Sequence, residues 1–409
     1  MNIIKNISWV FGANLFVSFS KWLTIVVIAK ILSPGDVGIY SLAFAISAPL
    51  TLLANMKLRS IYITDDEKDF KDYIYTRNLV SVLITLLLAI LSFIIYPEYF
   101  TIIMLIGLIK IFDLQSDIYY AIPHKNEDMK LIGKLMILKH VFTFVVFLIA
   151  IYLTKDLVIS ILIQLITQIL ILYFVEVREI NKRYILQKDN IGLDSRNIKL
   201  VILAGLPLGF VQMMMSFNTS YPQYLIEYFE SAEILGYFSA IVYIVMIGNM
   251  LINAVSQNFL PILSKKINLR DYYSFKKIVF FNLTGLSLMI GLLLISCSYF
   301  FGESFLRVFY GNEYANYNHV LILMSFALAI NFISWNFDTA LLTMKYISIQ
   351  PKISIIILIV NLVLGYFFIS SYGIIGAAIT VIITNTLQLI LRIIFVRIKL
   401  KMLMKEEFY

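Results

Sequence analysis

The chain has 409 residues, of which 60% are hydrophobic and only 14% are charged, and its formal net charge is +8. Together with a mean hydropathy of +0.87, this composition excludes an ordinary soluble domain. A single cysteine, Cys297, excludes a disulfide within the chain and a cysteine-based metal cluster. The only histidines, His124, His140 and His319, are scattered. We therefore predict no metal site and no cofactor.

About twelve apolar segments approach the roughly 20 residues that a helix needs to cross a bilayer. Because backbone groups in hydrocarbon must be satisfied internally, these segments predict an all-α, polytopic membrane protein. The predicted spans are 7–31, 37–56, 79–96, 100–122, 135–153, 157–177, 198–219, 235–258, 279–300, 320–344, 353–370 and 374–396. The first runs on to Ile31 and predicts an uncleaved signal anchor.

Lysine and arginine are distributed very unevenly between the segments that connect the spans. With the N-terminus in the cytosol, 28 of the 33 lie in inward segments or at the inner ends of the adjoining spans, three lie in outward loops and two lie deep within spans. Such an excess on the cytosolic side predicts that both termini are cytosolic. The positive net charge therefore reflects topology, and we expect no nucleic-acid partner.

Two short segments recur with a constant offset of 198 residues, each at the outer end of a predicted span. The matching residues are Ser33, Gly38 and Ser41 in the first half and Ser231, Gly236 and Ser239 in the second. Such repeats predict two pseudo-symmetric six-helix bundles. The predicted division is an N-terminal bundle at 1–180, a cytosolic linker at 181–197, a C-terminal bundle at 198–396 and a cytosolic tail of basic and acidic residues at 397–409.

Ionisable side chains recur every three or four residues in the fourth span, at Lys110, Asp113 and Asp117, with Tyr120 next. This spacing places them on one helix face. Each charge near the bilayer centre costs roughly 2.5–3.5 kcal/mol on insertion scales. One interpretation is a self-neutralising pair that joins helices. The other, favoured because further spans carry polar stripes, is the lining of a water-filled path.

Other spans carry polar residues that we consider for the same path. They are Asn14, Ser18 and Lys21 in the first, Gln164 and Gln168 in the sixth, Asn249, Asn253 and Gln257 in the eighth, Asn331, Trp335 and Asp338 in the tenth, and Asn385, Gln388 and Arg392 in the twelfth. A single Asn or Gln in a span more often makes an interhelical hydrogen bond. Lys21 lies about ten residues from either end of its span, too deep to reach water easily, which favours a cavity.

Three further basic residues lie closer to the predicted cytosolic edge. Lys139 is near enough to that edge for its side chain to reach water, which leaves its role open. Arg59 and Arg77 flank the inner ends of the second and third spans, where cations are most simply topology anchors.

No set of residues in the sequence has the spacing of a known catalytic site. There is no glycine-rich phosphate loop, no HExxH motif and no Ser-His-Asp set. We therefore predict that the protein is not an enzyme and not an ATP-driven pump. Its driving force would come from an ion gradient, the membrane potential or the gradient of its substrate.

Three blocks of the sequence resemble the polysaccharide repeat-unit (O-antigen) flippases of the multidrug/oligosaccharidyl-lipid/polysaccharide exporter superfamily. The blocks are 29–34 with 38–41, 112–120, and 207–208 with 221–227 and 235–240. Relatives often have Arg where this chain has Gln223, and Gln where it has His124, whereas Lys139 falls where the family tends to place Arg. The likeness covers essentially the whole chain.

This resemblance implies two bundles arranged as a V that open alternately to the two sides of the membrane. The implied cargo is a polyprenyl-diphosphate-linked oligosaccharide, carried from the cytosolic to the outer leaflet among membrane lipids, with a polysaccharide polymerase and other assembly proteins as partners. Cations would hold its headgroup, and carboxylates with nearby amides would couple an ion. The expected headgroup residues are Lys21, Lys110, Lys139 and Arg59, and the expected coupling or polar cavity residues are Asp113, Asp117, Asp338, Asn14, Asn249 and Asn253.

Three alternatives remain at the level of the sequence. A drug or cation antiporter of the same superfamily would share the fold and would depend more on the carboxylates than on the lysines. A membrane polysaccharide polymerase or glycosyltransferase generally carries a large outer loop, and the longest one predicted here is only 301–319. A non-transporting assembly partner is the third.

Overall fold

The computed structural model describes residues 2–65, 68–184 and 195–405, and the side chains of these ranges except 2–8, 247 and 249–258. Every regular element in these ranges is helical, which confirms the predicted all-α class. The helices that form the first part are α1 (Asn2–Ile31), α2 (Pro34–Asn55), α3 (Leu58–Thr64), α4 (Phe70–Ile95), α5 (Phe100–Tyr119), α6 (Ala121–Lys125), α7 (Met129–Thr154), α8 (Leu157–Ile171) and α9 (Arg178–Arg183). A π-helical turn, Leu172–Val177, joins α8 to α9.

The remaining helices continue in the same style and include several long ones. They are α10 (Ser195–Phe229), α11 (Ala232–Asn268), α12 (Tyr272–Lys277), α13 (Thr284–Phe309), α14 (Asn312–Ala315), α15 (Asn318–Thr343) and α16 (Gln350–Lys405). A second π-helical turn, Ile278–Leu283, lies between α12 and α13.

Within the described ranges, ten helical segments are long and apolar enough to cross a bilayer. One of them, Ile347–Lys405, bends at Gly373, whose φ of 53° and ψ of −132° interrupt the helix, and so contains two spans. Only glycine adopts that region without strain. The apolar start of α11, Ala232–Met246, adds another. The chain is therefore a multi-pass membrane protein, in agreement with about twelve predicted spans.

Exposed side chains on the helices agree with a hydrocarbon environment. Along α4 the exposed residues include Val82, Leu86, Ile90 and Phe93, each more than half exposed. An apolar stripe of this length would be a liability in water, but it is the normal lipid-facing surface of a span.

The chain forms two compact units, Met1–Tyr224 and Leu225–Tyr409, and the division falls within α10. In the first unit α1 packs on α7, α2 on α5, and α7 on α8; in the second, α15 packs on α11, α13 and α16. The predicted V-shaped arrangement and the predicted domain limits stay predictions. Residues 185–194 of the predicted linker and 406–409 of the predicted tail lie outside the described residues.

The recurring serines occupy equivalent places in the two units. Ser33 is the N-cap of α2, and its hydroxyl accepts a hydrogen bond from the Asp36 amide at 3.2 Å while the Asp36 carboxylate accepts from the Ser33 amide at 3.1 Å. Ser231 is the N-cap of α11 and accepts from the Ile234 amide at 3.2 Å. Each cap satisfies an otherwise orphaned amide where a span begins.

The C-terminal end of α2 is held by contacts that the sequence did not predict. Met56 and Lys57 both have left-handed backbone conformations, with φ of 49° and 48°. The buried guanidinium of Arg77, from α4, donates hydrogen bonds to the carbonyls of Ala54 and Asn55. Arg77, interpreted from the sequence as a topology anchor, is thus buried, and its donors satisfy the last carbonyls of a membrane helix.

Candidate functional site

The first unit contains a cavity of about 70 Å³, with room for a few water molecules. Its walls come from five helices, α1, α2, α5, α7 and α8, and four of its side chains carry charge. The lining residues are Ser20, Lys21, Thr24, Tyr40, Phe44, Ile109, Lys110, Asp113, Lys139, His140, Thr143, Phe144, Gln164 and Gln168. We call this space the cationic cavity, since three lysines and one aspartate give its lining a formal net charge of +2.

Two of the lysines, Lys21 and Lys110, are in no ion pair among the described residues. The Lys110 ammonium lies 4.5 Å from the centre of the Phe44 ring, close enough for a cation–π interaction. An aromatic face offsets only part of the cost of removing an ammonium from water. Both lysines therefore remain available to an anion that enters the cavity.

The third lysine, Lys139 on α7, is paired inside the protein and does not reach water. Only 4% of the residue is exposed. Its Nζ lies 3.0 Å from Asp113 Oδ1, 3.0 Å from Ser116 Oγ and 3.9 Å from Glu176 Oε1. Two carboxylates thus hold this ammonium inside the protein, and the side chain does not extend to the surface as the sequence had allowed.

Asp113 is held from a second side by α8. Gln168 donates through Nε2 to Asp113 Oδ1 at 2.9 Å and to the Ile109 carbonyl at 2.9 Å. The two polar residues of the sixth predicted span, Gln164 and Gln168, both line the cationic cavity. The Asp113 carboxylate is therefore fixed by a charged donor and a neutral donor from two different helices.

Sequence reasoning missed Glu176, which lies in the π-helical turn and is fully buried. Its carboxylate accepts hydrogen bonds from Ser116 Oγ at 2.6 Å and from the Tyr120 hydroxyl. In the sequence this residue stands at the edge of the predicted span 157–177, where a glutamate normally reaches water. The available signal was a lone acidic residue inside an apolar run.

Arg59 and Asp117 form a separate pair near the C-terminal end of α5. Arg59 on α3 lies 3.2 Å from Asp117 Oδ1 and donates to His124 Nδ1 at 3.1 Å. Neither residue of the pair lines the cationic cavity. Asp117, which lies seven residues, or roughly 10 Å, further along the helix than Lys110, is therefore not part of the cationic cavity, and its predicted role stays a prediction.

The remaining predicted residues lie elsewhere. Asp338 on α15 pairs with Arg392 on α16 at 2.9 Å, and Arg392 also donates to Ser334 at 2.9 Å, all within the second unit. Asn14 on α1 is half-buried and does not line the cavity. The side chains of Asn249 and Asn253 lie outside the described residues.

A second, wider cavity of about 460 Å³ lies between α4 and α5, and Tyr173 also lines it. None of its lining residues is charged, and two of its polar residues, Gln115 and Asn78, are joined by a hydrogen bond of 2.9 Å that Gln115 donates.

Where the structure describes side chains, no group of three or more His, Cys, Asp or Glu residues is placed to hold a metal ion.

Comparison with known proteins identifies the family and the fold. The family described as polysaccharide biosynthesis protein matches residues 3–266. The capsular polysaccharide biosynthesis protein CapF of Staphylococcus aureus is 30% identical over 396 residues, which are 95% of this chain and 98% of that protein.

Two solved structures have the same fold over almost the whole chain. The lipid II flippase MurJ, in an inward closed conformation, gives a TM-score of 0.72 at 16% identity over 95% of this chain and 87% of that one. An inward-facing multidrug resistance MATE family transporter of the MOP superfamily gives 0.69 at 14% identity over 97% and 95%. The chain therefore has the fold of these transporters and belongs to the polysaccharide biosynthesis protein family, as its sequence motifs predicted.

Proposed function

We propose that this protein carries a polyprenyl-diphosphate-linked oligosaccharide from the cytosolic to the outer leaflet of the bacterial inner membrane. The family and its capsular polysaccharide relative support a role in building such a polymer. The observation that carries the proposal is the presence, at a cavity among membrane-length helices, of two lysines with no carboxylate partner among the described residues.

Charge complementarity defines what the cationic cavity would bind. A diphosphate cannot cross hydrocarbon unaided, and the lining of three lysines and one aspartate offsets its negative charge. Because Lys139 already pairs with Asp113 and Glu176, we assign the direct contacts with the diphosphate to Lys21 and Lys110. A volume of about 70 Å³ suits a charged group and not a sugar chain, so the sugar and the prenyl tail would lie outside it.

The direction of transport follows from the sign of the cargo. With an inside-negative potential, moving an anion outward is favoured by roughly 2.3 kcal/mol per charge per 100 mV. A counter-moving proton or sodium ion would need a carboxylate in the membrane. Asp113, Asp117 and Asp338 each face a cation, and only Asp113 lines the cationic cavity, so Asp113 is our choice for the coupling site.

The location and partners belong to the same proposal. The excess of lysine and arginine in inward segments supports cytosolic termini in the inner membrane. Membrane lipids would surround the prenyl chain, and a polysaccharide polymerase or another assembly protein would take over the delivered unit. A role in catalysis is not part of the proposal.

The rival proposal is a drug or cation antiporter, since a MATE transporter shares the fold. A cationic cargo would require free carboxylates at the cavity. Here the lining carboxylate, Asp113, is occupied by Lys139 and Gln168, whereas the groups without such partners are lysines. Charge therefore favours the anionic cargo.

Binding of polyprenyl diphosphate to the protein in lipid nanodiscs tests the proposal. We expect Lys21→Ala and Lys110→Ala each to weaken binding by about tenfold or more, since each removes from the cavity lining a cation that has no carboxylate partner among the described residues. Lys30→Ala, an exposed lysine at the outer end of the same helix as Lys21, is the matched control. Wild-type affinity in both cavity variants would contradict the proposal.

A further inference from the structure

We infer that Glu176 sets how tightly the cationic cavity holds an anion, because it draws the Lys139 ammonium away from the cavity. Glu176 does not line the cavity, so it would act as a positioning residue through Lys139 and Ser116. This inference rests on the proposed function, in which the cavity receives the diphosphate.

The hydrogen bonds between Lys139, Ser116, Tyr120 and Glu176 all run toward the Glu176 carboxylate. An ammonium can only donate, so Ser116 Oγ accepts from Lys139 at 3.0 Å. The single hydroxyl proton of Ser116 then points to Glu176 at 2.6 Å and not to the Phe112 carbonyl at 3.4 Å. Tyr120 donates to the other oxygen of Glu176. Each oxygen of the Glu176 carboxylate thus has a hydrogen-bond donor, and Oε1 also has a cation at 3.9 Å.

The backbone directs Glu176 toward this position. Residues at four-residue intervals from α8 through the π-helical turn into α9 are all buried, namely Gln168, Leu172, Glu176 and Ile180. A regular α-helix, with 3.6 residues per turn, would rotate such a series steadily off one face. The π-helical turn Leu172–Val177 has more residues per turn and so keeps Glu176 on the buried face.

The Lys139 ammonium therefore interacts with two carboxylates, Asp113 and Glu176. Asp113 lines the cavity and Glu176 does not. With Glu176 ionised, the three lysines and two carboxylates carry a net charge of +1. Without its charge they carry +2, and the one carboxylate that still pairs with Lys139 is Asp113, which itself lines the cavity. The glutamate thus weakens anion binding and speeds release, which a carrier needs in order to turn over.

Equilibrium binding and dissociation of polyprenyl diphosphate in nanodiscs test this role. Glu176→Gln keeps the shape of the side chain and removes its charge. We expect roughly tenfold tighter binding with a correspondingly slower dissociation rate, the order expected for one unit charge several ångströms away in a protein interior. Glu179→Gln, which neutralises a partly exposed carboxylate paired with Arg183 at 2.7 Å, should leave both constants unchanged.

Further variants separate this role from a structural one. In Glu176→Gln/Lys139→Met the tighter binding should disappear, whereas a general packing effect would not depend on Lys139. If Glu176→Gln does not fold, Ser116→Ala carries the test: it breaks the bridge to Lys139, and binding should tighten severalfold. Unchanged or weaker binding in the variant that folds overturns the inference. Failure of the wild-type protein to bind polyprenyl diphosphate would instead overturn the proposed function.

Discussion

The two compact units differ in how charge is arranged within their helices. In the first unit, Lys21, Lys110, Asp113, Lys139 and Glu176 come from four elements, with Lys110 and Asp113 both on α5, and cations outnumber carboxylates. In the second, Asp338 faces Arg392 one to one, with Ser334 supporting the arginine. A balanced pair of this kind can join two helices without binding anything. The imbalance of charge, and not the presence of charge in a span, distinguishes the candidate site.

The largest expected effect breaks the balanced pair. Arg392→Ala should lower the free energy of unfolding by about 3–5 kcal/mol, because it leaves the Asp338 carboxylate buried without its cation. Thermal or denaturant unfolding in detergent measures the loss. Arg392→Met/Asp338→Leu, which removes both charges, should recover most of it, and a double variant as unstable as Arg392→Ala would contradict the explanation.

Removing a cavity-lining cation from the first unit should change the free energy of unfolding in the opposite direction. Lys110→Met removes an ammonium that has no carboxylate partner among the described residues, so the protein should become more stable by about 1 kcal/mol. In the same variant polyprenyl diphosphate should bind about tenfold more weakly, a loss of roughly 1.4 kcal/mol. Destabilisation by Lys110→Met would mean that the lysine serves the fold, as Arg392 does.

Carboxylates of the two units should also differ in their effect on ion coupling. Asp113→Asn should make transport insensitive to ionophores, a loss of about fivefold stimulation, whereas Asp338→Asn should keep the response. Delivery of a lipid-linked oligosaccharide to the outer leaflet, measured in proteoliposomes with and without an imposed gradient, gives the comparison. A full ionophore response in Asp113→Asn would remove Asp113 from coupling.

The smallest effects concern the feature that the units share. Ser33→Ala and Ser231→Ala each remove an N-cap acceptor and should destabilise the protein by about 1 kcal/mol or less. Ser33 also takes part in a reciprocal bond with Asp36, so its loss should be the greater of the two. Equal shifts in unfolding temperature would show that the reciprocal bond adds nothing.

Much of the architecture could be predicted because membranes restrict what a chain can do. An apolar run of about 20 residues has to become a helix in hydrocarbon, so hydropathy and the placement of lysine and arginine were enough for the class and the approximate number of spans. The depth of a residue along a span also follows from counting residues. The depth of Lys21 and Lys110 led to the expectation that they face a cavity, and in the structure both line the cationic cavity.

The rest of the site depends on contacts that a single span does not encode. Asp117 has the predicted angular position on α5, but its environment is decided by Arg59, which arrives from the short helix α3. Glu176 is buried because a π-helical turn changes the number of residues per turn, and a period of 3.6 does not anticipate this. Lys139 could have turned either way until its two carboxylates were known.

The hydrogen bonds that Arg77 donates at the C-terminal end of α2 have a consequence for the backbone there. Two consecutive left-handed residues, Met56 and Lys57, are unfavourable by about 1–2 kcal/mol each, and without other contacts the chain would straighten α2 into α3. One guanidinium satisfies two carbonyls there, whereas a lysine ammonium lacks the planar fork to do so as well. The bend that Arg77 stabilises comes two residues before Arg59. Arg77, on a different helix, therefore fixes the direction in which Arg59 points toward Asp117.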